Sequence, residues 1–152
     1  MYNHEPEAYE CPMCALVKGE ETEINRREHI VYQDHETLAY ISPKWWINNP
    51  GNVLVIPKKH IENIYDVSDE LLGKVYATAK KVALGIKETY GCDGTSTRQH
   101  NEPAGNQDVW HLHVHVFPRY KGDELYKNHD KRDWVSHEQR MEYVEKLKKY
   151  FT

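Results

Sequence analysis

The chain reads as an α+β domain in which helices pack on one side of an antiparallel sheet. Two observations predict this. Strand-like segments come first, then one long helical segment, more strands and a terminal helix, all joined by short connections that suit antiparallel pairing. A regular strand–helix alternation and a Gly-x-Gly-x-x-Gly dinucleotide fingerprint are both absent. The 152 residues fit a single domain over 1–152, long enough to bury a core without cross-links.

The elements follow in order. Residues 1–10 are polar and acidic and read as a loose arm. Residues 28–34 and 37–42 read as two short strands about a turn at Asp34-His35-Glu36. Residues 43–51 read as a loop, with Asn48-Asn49-Pro50-Gly51 as a turn signal, and 52–56 as a buried strand stopped by Pro57. Ser68 is a good N-cap, with Asp69 and Glu70 in the first turn. Leu71, Leu72, Val75, Ala79, Val82 and Ile86 then recur at helical spacing until Gly91, a C-terminal stop. Residues 95–100 read as a strand, 100–108 as a Gly/Pro/Asn loop and 110–117 as a strand closed by Pro118. Residues 121–152 form a C-terminal extension whose helix begins after Ser136, with Met141, Val144, Leu147 and Phe151 on one stripe.

Composition narrows the function classes. Hydrophobic residues make up 39% and charged residues 29%, and the apolar runs are too short to cross a membrane. The N-terminal segment has no apolar stretch of the secretory kind, so a cytoplasmic setting is expected. A net charge of −4 argues against a general nucleic-acid binder but leaves room for a small anionic ligand at a local site. Three cysteines, two of them in Cys11-Pro12-Met13-Cys14, do not make a disulfide framework.

Ten histidines is a high number, and they cluster. In Trp110-His111-Leu112-His113-Val114-His115-Val116-Phe117, side chains alternate between faces, about 6.6 Å apart on each face. Leu112, Val114 and Val116 share the core side, and His111, His113 and His115 share the other. Such a row can be a solvent-facing strand, a metal site, or a nucleophile with two partners that fix its tautomer. Imidazole attacks phosphorus well and, once protonated, leaves well, which suits a covalent phosphoramidate intermediate cleared by water.

This segment resembles the histidine-triad (HIT) motif. So do Asn101-Glu102, Gly105-Asn106-Gln107-Asp108-Val109, Pro118-Arg119, the stretch from Val53 to His60 and the opening C-x-x-C, together spanning roughly 9–120. The resemblance implies an α+β HIT-like fold with a five-stranded antiparallel sheet, a long helix and a C-terminal helix, usually paired as a homodimer. It implies hydrolysis at the α-phosphorus of a purine nucleotide conjugate, either a nucleoside phosphoramidate or a dinucleoside polyphosphate. His113 is then the nucleophile, with His115 and His111 as catalytic partners. Asn101, Gly105, Asn106, Gln107 and Asp108 become substrate-binding residues, Gly105 and Asn106 through a turn whose amides cradle phosphate. The rival readings are a nucleotidyltransferase with a non-water acceptor, a nucleotide-binding adaptor with little turnover, and a hydrolase with catalytic zinc on the three histidines.

In zinc-bearing members the metal is held by two Cys, a His after the Ile-Pro strand and the first triad His. Cys11, Cys14, His60 and His111 match all four positions, which implies a structural zinc. On the sequence alone, Cys11 and Cys14 also fit a redox pair, and Cys92 reads as a buried apolar residue. Two departures stand out. Asp108 occupies a position that is usually Ser or Thr. It either turns away to hold an amide or a basic side chain, or is protonated and serves as an acid. No Asp follows the second strand to pair with ribose, leaving Lys44, Asn48 or Asn49 for that role and Trp45 and Trp46 for a base pocket, core packing or an interface. Arg119, Lys58 and Lys59 are sources of positive potential.

Overall fold

The computed structural model describes all residues, 1–152. Its elements are α1 (Pro12–Val17), β1 (Ile30–Gln33), β2 (Thr37–Ile41), β3 (Lys44–Trp46), β4 (Val53–Pro57), α2 (Asp69–Tyr90), β5 (Gly94–Gln99), β6 (Val114–Arg119), β7 (Arg132–Trp134) and α3 (His137–Phe151). The main sheet has five strands in the order β1-β2-β4-β6-β5, antiparallel throughout, and β3 pairs with β7 in a separate ribbon.

Every residue of β2 and β4 is buried, because both faces of the sheet are covered. Ala39, Ile41, Val53, Val55, Val114 and Val116 meet Val75, Ala79, Val82 and Ile86 of α2 and Val144 and Leu147 of α3. Leu38, Tyr40, Leu54 and Ile56 point the other way, against Met13 and Leu16 of α1. The second face is the one that carries the histidines. Both long helices begin on a serine: Ser68 Oγ accepts from the Leu71 amide at 3.2 Å, and Ser136 forms a reciprocal cap with Gln139. Gly91 ends α2 at φ +69°, a conformation glycine adopts without a Cβ penalty. No helix is long and apolar enough to cross a membrane.

Several local expectations are corrected. Residues 27–29 form a 3₁₀ turn, because the His29 ring takes the Arg26 amide at 3.0 Å, and β1 starts only at Ile30. The loop expected over 43–51 contains β3. The strand expected from 110 starts at 114: the Leu112 amide bonds Ile61 O at 2.7 Å, which takes it out of the ladder. That strand also runs through Pro118, whose register partner is Thr95 of β5; β4 pairs with β6 only as far as Val116, so a missing N–H costs nothing on that side. The arm over 1–10 is docked, since the amides of His4 and Glu5 donate to the Glu62 carboxylate at 2.8–3.0 Å.

Candidate functional site

Two clusters share the histidine face. In the first, the ligand atoms of Cys11, Cys14, His60 and His111 all lie within 4.8 Å of one another. His111 Nδ1 is 3.4 Å from Cys11 Sγ, 3.6 Å from Cys14 Sγ and 3.3 Å from His60 Nδ1, and Cys14 Sγ is 3.2 Å from His60 Nδ1. A tetrahedral zinc with the usual bond lengths needs edges of about 3.6 Å between sulfur and nitrogen and about 3.3 Å between nitrogens. The observed separations fall on those edges to within a few tenths of an ångström. Both rings also present the required lone pair. His111 Nε2 donates to Pro57 O at 2.9 Å and His60 Nε2 to Glu5 Oε2 at 2.5 Å, so each proton sits on Nε2 and each Nδ1 faces the sulfurs. Burial pushes His111 down to about 4. Burial and the Cys11 sulfur push the Cys14 thiol up to about 12, so these donors become a matched set only around a cation. The residues fit zinc.

The remaining two triad histidines form the second cluster. His113 Nδ1 lies 2.7 Å from the carbonyl oxygen of His111. A carbonyl only accepts, so the proton is on Nδ1 and Nε2 carries a free lone pair. Burial lowers the His113 pKa, against the opposing pull of that hydrogen bond and of Asp108, so the ring is neutral at neutral pH. His115 sits 5.2 Å from His113 between ring centroids and stacks on Phe117 at 5.3 Å, with its edge to Trp46. Its buried Nδ1 has no partner, and burial holds it well below the usual imidazole range.

The preceding loop differs from the expected cradle. The amides of Gly105, Asn106 and Gln107 are committed to the turn itself, bonding Glu102 O, Pro103 O and Glu102 O at 3.0–3.1 Å. Asn106 takes φ +70°, as its residue type allows. The Gln107 side chain is fully engaged: Nε2 donates to Glu62 O at 2.6 Å and Val109 O at 3.0 Å, and Oε1 accepts from the Glu102 amide at 2.9 Å. Asn101 Oδ1 likewise accepts from the Ile64 amide at 2.8 Å. These two side chains hold the loop through those bonds, and Gln107 also lies on the wall of a polar cleft beside His115. Among the amides left without a hydrogen bond are those of Asp108 and Val109, immediately before the triad.

Asp108 bonds Arg132 Nη2 at 2.5 Å. Burial raises its pKa, but the Arg132 hydrogen bond and charge outweigh burial and hold the carboxyl below the usual range, so it is an ionised ion-pair partner. Asn48 and Asn49 are tied to Asp123 and Pro118 and do not reach the histidines. Trp45 and Trp46 are both buried, their indole N–H groups on Ser42 O and His129 O at 2.8 Å. Arg119 is held bidentately by Asp123, at 2.8 and 3.0 Å.

Two clefts open beside His115, Asp108 and Arg132. A mainly apolar one of about 160 Å³ reaches His113 and is lined by Met13, Ile24, Tyr40, Leu54 and Val109, with Lys44 also on its wall. A polar one of about 410 Å³ lies on the other side, against Arg98, His100 and Trp46. The sequence reading missed Arg98, His100 and Arg132. The one signal for Arg98 was a charge inside the segment expected as a strand.

A family model described as the HIT domain matches residues 23–122. The chain belongs to the HIT family. It is 34% identical over 117 residues to Protein hit of Bacillus subtilis, covering 76% of each chain. Its fold is similar to that of a zinc-bound histidine triad family protein from Mycobacterium smegmatis, with a TM-score of 0.74 and 27% identity over 91% of both chains. A hypothetical histidine triad nucleotide-binding protein from Sulfolobus tokodaii also has a TM-score of 0.74 and 27% identity, over 91% of this chain and 90% of that one. The HIT match takes in His60, the loop and the triad; Cys11, Cys14 and α3 lie outside it.

Proposed function

We propose that this HIT chain is a nucleotide hydrolase in which His113 Nε2 attacks the α-phosphorus of a nucleoside 5′-phosphoryl conjugate. The observation that carries the reading is the 2.7 Å hydrogen bond from His113 Nδ1 to His111 O, which leaves Nε2 bare on a neutral ring that lines the apolar cleft. The nucleotide-binding description of the Sulfolobus tokodaii relative supports the ligand class.

In the first step the Nε2 lone pair forms an N–P bond. The bond from phosphorus to the leaving group breaks, and its electron pair departs with that group. In the second step water attacks phosphorus, the N–P pair returns to Nε2, and a nucleoside monophosphate leaves. His113 gains positive charge in between, and the His111 carbonyl, already hydrogen-bonded to Nδ1, stabilises it without reorganisation. The amides of Asp108 and Val109 are the donors for the phosphoryl oxygens. Asp108 acts by fixing Arg132, not by donating a proton.

Cys11, Cys14, His60 and His111 would hold the zinc, which would supply a cross-link between α1, the segment after β4 and His111, whose carbonyl holds His113. Four protein donors form the closed set of a structural site. The test of the two-step route is stereochemical. A substrate chiral at the α-phosphorus through one sulfur atom, hydrolysed in isotopically labelled water, is expected to give retention, from two inversions. Net inversion would overturn the route through His113.

A further inference from the structure

Two arginines line the polar side of the site, and one is already paired, Arg132 with Asp108; Arg119, on the neighbouring strand, is taken by Asp123 and Ser96. Arg98 has no hydrogen-bond acceptor, and its Nη2 is buried without a partner. Its guanidinium lies 4.8 Å from the ring centroid of Phe117, 5.3 Å from that of Trp46 and 5.8 Å from that of Tyr126. These aromatic faces fix the plane of the fork but accept none of its five N–H groups in line.

Sheet register sets its place. Arg98 of β5 pairs with His115 of β6, so the two side chains emerge on one face as cross-strand neighbours, beyond His115 from the apolar cleft. The Arg98 side chain lines the polar cleft with His100 and Arg132. Asp108 is neutralised by Arg132, and Asp130 on the same rim is exposed to solvent. The cleft therefore holds one half-buried, preoriented, unpaired cation, and with the nucleoside taken to occupy the apolar cleft it lies on the opposite side of the triad. A guanidinium in that state matches a phosphate through two parallel N–H donors.

We propose that Arg98 is the leaving-group recognition residue, and that the substrate carries a phosphate there: the α-phosphorus is linked through oxygen to a β-phosphate rather than to an amine. This rests on the hydrolase reading above. As the α-P–O bond breaks, its electron pair stays on the bridging oxygen of the departing phosphate. Arg98 then faces the charge that develops, while an amine leaving group offers it nothing to bind.

Binding tests this without turnover. The probes are adenosine 5′-monophosphate and adenosine 5′-(α,β-methylene)diphosphate, whose P–C bond resists cleavage, titrated by calorimetry into wild type, Arg98→Met and Arg98→Lys. Wild type is expected to bind the diphosphate analogue roughly tenfold to a hundredfold more tightly than the monophosphate, the size of one charge-assisted contact. Arg98→Met, which keeps the apolar cover on the aromatic rings, brings that ratio close to one, and Arg98→Lys restores part of it. An unchanged ratio in Arg98→Met, or a wild-type ratio already near one, overturns the proposal. Kinetics separate it from the parent reading. The kcat/KM ratio of diadenosine triphosphate to adenosine phosphoramidate should fall by the same factor in Arg98→Met. If wild type turns over neither substrate while the affinity ratio behaves as expected, the hydrolase reading fails and the anion subsite stands.

Discussion

Gln107 offers the sharpest contrast between a side chain that binds substrate and one that builds the loop. It is 4% exposed, and both hydrogens of Nε2 and the acceptor Oε1 are engaged, on Glu62 O, Val109 O and the Glu102 amide. Gln107→Ala removes three hydrogen bonds at about 1 kcal/mol net each. It also strands two carbonyls and an amide, which adds to the cost, while water entering from the adjacent cleft offsets part of it. The expected loss is about 2–4 kcal/mol, or roughly 5–15 °C in Tm for a domain of this size. Urea unfolding followed by circular dichroism measures it. Gln107→Glu is expected to be as harmful or worse, because an ionised carboxylate would face two carbonyl oxygens that it cannot bond. Stability within about 0.5 kcal/mol of wild type, the ordinary range for a surface change, combined with a large loss of nucleotide affinity, would refute this reasoning and return Gln107 to the substrate.

Three further predictions follow from the same geometry. Metal analysis should find one zinc per chain, lost in Cys14→Ser. Chelation should lower Tm by roughly 8–16 °C, the effect of removing a ligand held about a thousandfold above its Kd, and a zinc-free protein with unchanged Tm would contradict it. His29, which burial chiefly and then the Arg140 charge hold at about 3, folds in its neutral form. Its unfolded pKa is near 6.5, so its contribution is complete above that value. It is lost as pH falls from about 6.5 towards 3, at up to about 1.4 kcal/mol per pH unit. His29→Asn should reduce the pH slope of stability by one proton across that window, and an unchanged slope would count against it. Asp108→Asn should lower kcat by less than tenfold and leave the pH profile unshifted, because the ionised carboxylate donates no proton; loss of a limb of that profile would assign it the acid role.

The legible parts of the fold are those whose signal is local. Ser68, the apolar stripe from Leu71 to Ile86 and Gly91 delimit α2 because a long amphipathic helix repeats its signal over several turns. The alternation about His113 placed Val114 and Val116 in the core and the histidines opposite, where the structure has them. The four-residue cluster of Cys11, Cys14, His60 and His111 was legible only through the family resemblance, since its members come from segments far apart in the chain. β3 and β7 were missed because Lys44-Trp45-Trp46 and Arg132-Asp133-Trp134 each carry three residues and become strands only by meeting each other. α1 is six residues long, too short to show a period. Arg98 was missed for a related reason: it becomes a neighbour of His115 through the register between β5 and β6, a property of pairing rather than of either segment. Gly105 and Asn106 were read correctly as a turn, but which amides that turn consumes depends on its hydrogen bonds, and these take the Gly105 and Asn106 amides while leaving those of Asp108 and Val109 free.

The central claim is that His113 Nε2 becomes covalently bonded to phosphorus. Intact-protein mass spectrometry after brief mixing with an adenosine phosphoramidate or diadenosine triphosphate, on wild type and His113→Ala, tests it most directly. The account predicts an added mass of one nucleotidyl group on wild type, mapped to the peptide containing His113 and absent from His113→Ala. Product formation with no adduct on wild type, or equal turnover by His113→Ala, would contradict it.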